Sequence, residues 1–167
     1  MLDKVAIEKV AQAARMAVII EWRRQGHELT GRAARELETR VRTTSRGVEI
    51  QGLVLDYMAR VNQGVPASEI RVDRRYIQGL VRYARLRFKA GLNEAQEIAY
   101  RIASAHQREG MPTRGSQRFS ATGKRTGFIE DGLEKEDEKI GQLIEAAVDE
   151  TWNKIITTFF QSILAGR

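Results

Sequence analysis

The chain has no cysteine. Disulfides and thiolate metal sites are therefore excluded, and with them a disulfide-stapled secreted domain. Long apolar runs are missing too. The longest, Met16 to Ile20, falls far short of the roughly 20 residues needed to span a bilayer, so no membrane partner is expected. No charged-then-apolar leader with a small-residue cleavage site opens the sequence, and no signal peptide is expected. Histidine is scarce: only His27 and His106 occur. His27 lies in a turn beside Gly26 and His106 near the polar end of a helical tract, so each reads as a surface residue rather than a catalytic base.

Motifs that carry chemistry are absent as well. There is no H-x-x-x-H, Walker A or G-x-S-x-G pattern. Ser120-Ala121-Thr122-Gly123-Lys124 approaches a phosphate loop, but it lacks the first glycine, the hydroxyl residue after the lysine and a preceding strand. The carboxylates of 130–138 crowd a helix start, where they suit the positive end of the macrodipole better than acid–base work. No zinc finger, homeodomain arm or aromatic RNA-binding motif is visible. No catalytic residue, metal set or cofactor site can be assembled, and a non-enzymatic chain is expected.

What is there is helix, charge and one short β segment. At 167 residues, a single domain over 1–167 with a real core is expected. The period predicts a first helix over 2–25, with Leu2, Ala6, Val10, Ala13, Ala17 and Ile20 on one stripe, Gly26 as its stop and Trp22 as a packing anchor. Then the period changes to two. Leu37, Thr39, Val41 and Thr43 alternate with charged residues, and Val48 to Gln51 alternate again after the turn residues Thr44-Ser45-Arg46-Gly47. A small antiparallel sheet, about 37–43 and 47–52, is expected to carry the helices. A hairpin alone is marginal in water, so it must pack on helices or pair with another strand, including one from a second copy.

Leu53 to Val61 reads as a short helix or irregular tract, stopped by Gly64 and Pro66. An αα-hairpin follows over 73–90 and 93–109, with Asp73 as N-cap and Asn93 opening a capping box with Gln96. Ile77, Leu80, Val81, Ala84 and Phe88 form the inner stripe of its first helix. Arg71, Arg75, Arg82, Arg85 and Lys89 form one continuous basic face opposite. Residues 110–127, rich in Gly, Ser and Thr, are expected to be an extended loop or arm, anchored at most by Met111 and Phe119. Its cations Arg114, Arg118, Lys124 and Arg125 would suit a partner's phosphate or carboxylate. A long helix over 133–164 closes the sequence. Its band, widened by Trp152, Ile156 and Phe160, suggests burial on more than one side.

Charge is segregated along the chain. Residues 1–70 hold 11 basic and 9 acidic side chains, 71–128 hold 13 and 4, and 129–167 hold 4 and 9. A basic middle beside an acidic end fits internal pairing, pairing between subunits, or a basic surface facing nucleic acid.

Three stretches in order carry a resemblance: Leu29-Thr30-Gly31-Arg32 followed by two strands; Val48-Glu49-Ile50 leading to YMARVNQG from Tyr57 to Gly64; and Tyr76 to Pro112, closing in AYRIASAHQREGMP. In this order they resemble the tail-completion or head–tail joining proteins of tailed bacteriophages. The chain departs from that pattern in having His27-Glu28-Leu29 before Thr30 and a longer 110–127 segment. The resemblance implies an α+β, helix-rich virion component assembled in the host cytoplasm. It further implies a cyclic ring of identical copies at the head–tail neck or upper tail, joining portal or connector to tail around the DNA. The inter-subunit surface would then involve Val48, Ile50, Tyr57, Trp152, Phe160 and the cations and Phe119 of 110–127. The basic face from Arg71 to Lys89 would look toward DNA or an acidic partner. A small basic nucleic-acid-binding or packaging-accessory protein is the alternative.

Overall fold

The structure is a computed structural model that describes residues 3–44 and 47–165, with side chains as far as Thr157. Leu2, Ser45 and Arg46 therefore lie outside the described residues, and the side chains of Phe159, Phe160 and Ile163 outside the described side chains. The fold is α+β and helix-rich, with one two-stranded antiparallel sheet among the described residues.

Helix α1 spans Lys4–Arg24. Asp3 caps it, its carboxylate accepting from the N–H of Val5 at 2.9 Å and of Ala6 at 3.1 Å. At the other end Gly26 adopts φ +74°, and a Cβ there would lie 2.0 Å from the carbonyl oxygen of Phe119. Glycine is thus required twice over, by backbone sign and by close approach. Nine of the helix's 21 residues are buried. Val18, Ile19 and Trp22 enter a core with Ala33, Leu37, Met58 and Phe128. The Trp22 ring meets Phe128 edge-on at 4.9 Å and lies 4.6 Å from His27.

A short helix α2, Arg32–Glu36, precedes the strands; no period marked it. Arg15 of α1 reaches its carbonyl end, donating to Leu37 O at 2.6 Å and Ala34 O at 2.7 Å. Strands β1, Glu38–Thr44, and β2, Gly47–Leu53, pair with Val41 opposite Ile50 and Thr43 opposite Val48. The alternation places Thr39, Val41, Val48 and Ile50 on the half-buried face. No strand residue is fully buried. Only β1 leans on α1 to any extent, so the expectation that the sheet carries the helices is reversed: α1 carries the sheet.

Helix α3, Asp56–Gln63, ends at Gly64, and a single 3-10 turn spans Ala67–Glu69. Helices α4, Arg74–Phe88, and α5, Leu92–Glu109, form the αα-hairpin. Asp73 caps α4, accepting from Tyr76 N–H at 2.7 Å. The capping box at Asn93 does not form: α5 starts one residue before it, on Gly91, with no side-chain cap. Lys89, at φ +55°, supplies the left-handed turn between the helices. Ala84, Ala90 and Ala95 are buried between α4 and α5 with Val81 and Ile98 against them. Small side chains let the two helices approach closely.

The expected helix over 133–164 is two helices, α6, Phe128–Lys135, and α7, Asp137–Ala165, broken at Glu136. The break lets α6 cross α1 closely: a Cβ on Gly132 would sit 2.8 Å from Ala17 O. Helix α7 then runs back along α1, toward its N-terminus, where Thr151 Oγ1 accepts from Asp3 N–H at 3.1 Å.

Candidate assembly surfaces

Residues 110–127 are an ordered strap, not an extended arm. Met111 exchanges two backbone hydrogen bonds of 2.8 Å with Val65. A 3-10 helix spans Arg114–Phe119. Beyond it Ala121 N–H donates to Arg24 O and Gly127 N–H to Asn62 O, both at 2.8 Å. Phe119 stacks near Phe88, with ring centroids 6.3 Å apart, and the guanidiniums of Arg87 and Arg118 lie over its face. The strap therefore ties the ends of α1, α3 and α4 together.

This placement changes the reading of its cations. Lys124 pairs with Asp131 of α6 at 3.1 Å. Arg125 is half-buried, donating to Ser116 O and lying 3.3 Å from His27 Nδ1; burial lowers its pKa. Neither is a free cation for a partner. Arg114 and Arg118 remain exposed.

The histidines are corrected as well. His27 is enclosed by Trp22, Phe128 and Arg125. Burial, reinforced by the Arg125 charge, lowers its pKa to about 4. His106 Nδ1 lies 2.6 Å from the Tyr76 hydroxyl, bridging α5 to α4. Burial lowers the His106 pKa and raises that of Tyr76. Both histidines serve packing between elements.

Among residues that gave no signal in the sequence, Glu21 is 1% exposed and accepts from Lys135 Nζ at 2.7 Å. Gln25, also buried, donates toward Glu21, Thr126 O and Asp131. Asn62 accepts from Ile129 N–H at 2.9 Å, holding the start of α6. Apart from the Gln25–Glu21 contact within α1, their partners lie 67 to 114 positions away with no periodic relation to them.

Of the expected basic face, Arg75, Arg82 and Arg85 lie on α4, while Arg71 precedes the helix and Lys89 is its left-handed C-cap. Arg71, Arg75, Arg82, Arg85 and Lys89 are all exposed, and among the described residues none of them enters an ion pair. Between the basic middle and the acidic end, Lys124–Asp131 is the one pair the described residues make. Internal pairing thus leaves both charged faces largely unneutralised. Gly79 lies on the same outer face of α4, with nothing within 4 Å of its missing Cβ, and Leu86 is exposed there.

Helix α7 presents the complementary surface. Of its described side chains only Ala147 and Thr151 are buried. Trp152 is 59% exposed, and Ile144, Ile155 and Ile156 are each 48% exposed. Past the Lys154–Asp3 ion pair, α7 continues to Ala165, roughly 16 Å at the helical rise. Val48 and Ile50 are half-buried, and Tyr57 is partly exposed with its edge toward Trp22 at 6.1 Å. Each strand has one edge without a strand partner among the described residues. The structure thus scatters the expected interface residues over four places, the sheet, α3, the strap and α7.

Compared with family models, with curated proteins and with solved structures, the chain matches none.

Proposed function

We propose that the chain is a structural subunit of a closed ring at the head–tail neck or upper tail of a tailed bacteriophage, joining portal or connector to tail around the DNA. The observation that carries the reading is α7, a 29-residue helix on which, among the described side chains, Ile144, Val148, Trp152, Ile155 and Ile156 are exposed. Leaving several large apolar side chains of one helix in water is unfavourable, and such faces mark protein–protein surfaces. The exposed edges of the small sheet add a second surface open to strand addition. The resemblance of Leu29 to Pro112 to head–tail joining proteins supplies the setting.

The test is light scattering and electron microscopy of the purified full-length chain. A closed cyclic oligomer is expected; a monomer at every concentration, absent from purified virions, sinks the reading. A second reading, a small basic nucleic-acid-binding or packaging-accessory protein, is supported by the unpaired cations of α4. It expects DNA binding that weakens steeply with salt and is lost when Arg82, Arg85 and Lys89 are neutralised.

A further inference from the structure

Two helical faces lack partners, and they match. On α4 the residues Arg75, Gly79, Arg82 and Leu86, with Lys89 at the C-cap, are spaced four, three, four and three apart, the seam spacing of packed helices. All the side chains on this seam are exposed, and the glycine opens a flat place in it. A mid-helix glycine costs helix stability relative to alanine. None of the described residues occupies the space beside Gly79, so the described intrachain packing does not account for it. On α7 the residues Glu145, Val148, Trp152 and Ile155 run at three, four and three, again exposed. Asp149 flanks them, and neither Glu145 nor Asp149 enters an ion pair among the described residues.

The order of features fixes the direction. Along α7 Glu145 and Asp149 come before Trp152; along α4 Arg75 comes before Gly79, and Arg82, Arg85 and Lys89 come after it. Asp149 lies three residues before Trp152, as Arg82 lies three after Gly79. With Trp152 over Gly79, an antiparallel alignment gives each acid a cation of its own, whereas a parallel one leaves Arg75 as the one seam cation before Gly79 and sets Ile155 against Arg82. We propose that α7 of one copy packs antiparallel along the outer face of α4 of a second copy, with Trp152 over Gly79, Asp149 against Arg82 and Glu145 near Arg85 and Lys89. This rests on the ring reading and names its contact. The two faces differ, so the interface is head-to-tail, the kind that closes into a ring when the rotation per copy permits. Charge complementarity selects a second copy as the occupant, because both unneutralised faces belong to one chain.

The experiment uses full-length protein and sedimentation velocity. Arg82→Glu with Arg85→Glu, and separately Glu145→Arg with Asp149→Arg, are each expected to weaken assembly at least tenfold. An equimolar mixture of the two variants is expected to assemble again, because every junction in an alternating ring regains opposite charges. Gly79→Ala is expected to raise the melting temperature of the dissociated chain while weakening assembly, opposite signs that a purely intrachain role does not give. If wild type assembles and the reversals change it less than twofold, or the mixture is not restored, the contact is overturned and the ring reading stands. If wild type never assembles, both fall. If the α4 reversal leaves assembly intact but abolishes retention of duplex DNA, the face belongs to nucleic acid and the contact is overturned.

Discussion

Helices α1 and α7 are the two longest in the molecule and lie against each other, yet they are used in opposite ways. Helix α1 buries residues on nearly every turn, with Trp22 and Glu21 almost wholly enclosed. Helix α7 is longer and at least as rich in large apolar side chains, but of its described side chains only Ala147 and Thr151 are buried, with Ile140 and Leu143 half-buried. An apolar stripe in a sequence therefore states that a face will be covered, not by whom. In α1 the cover is the chain's own α6, α7 and α2. In α7 Ile144, Val148, Trp152, Ile155 and Ile156 have no such cover among the described residues.

The sharpest way to break this contrast is to delete large side chains from each helix's surroundings. Phe128→Ala removes a fully buried ring that packs on α1, and should cost about 3–5 kcal/mol by urea unfolding. A loss under 1 kcal/mol would mean that the α1 core is not the organising one. Next in size is Lys135→Met, which strands the buried Glu21 carboxylate. Because Lys135 itself is partly exposed, a loss of about 2 kcal/mol is expected, and adding Glu21→Gln should recover part of it. Gly132→Ala pushes α6 off α1 and should cost about 1–3 kcal/mol.

Smaller again is a pH effect. His27 is neutral in the fold down to about pH 4, whereas in the unfolded chain it takes a proton near pH 6.5. The unfolded state thus binds the extra proton between these values, and stability falls as pH drops from 6.5 toward 4. His27→Gln should flatten that part of the profile, read from urea midpoints at several pH values. The smallest effect on the monomer belongs to Trp152→Ala, expected within about 0.5 kcal/mol of wild type. If that change unfolds the chain, α7 is part of the core and the contrast fails.

What was legible in the sequence was whatever repeats. The stripe of α1, the alternation of Thr39, Val41, Val48 and Ile50, and the αα-hairpin with its Asp73 cap could each be read within one window of residues. The basic face of α4 could be read the same way. What was not legible depends on single bonds between distant positions. The strap is held by Arg24 O, Asn62 O and Val65, backbone groups that no side-chain pattern announces, so it read as an arm. The break at Glu136 was hidden because residues 134–139 are all charged with no glycine or proline to mark a stop, while the need for a break comes from Gly132 against Ala17. The histidines read as exposed because the residues beside them carry no apolar signal; Phe128 and Tyr76, which help enclose them, are neighbours only in space, and Trp22, five positions before His27, folds back over it. Gly79 passed unnoticed because a glycine on an outer helical face matters only once its surroundings are seen to be empty.

The meeting of Trp22 with Phe128 has a consequence during synthesis. The two rings are separated by roughly a hundred residues of chain, and a ribosome adds about 5–20 residues per second. For some 5–20 seconds the apolar face of α1 is complete with only Ala33, Leu37 and Met58 of its core partners made, and lacks α6. The nascent chain carries that face, with its Trp and isoleucines, through most of its own translation. A trigger-type chaperone, or the folded αα-hairpin emerging behind it, has that interval in which to act, and crowding many such chains on one message favours premature association through α1 rather than through α7.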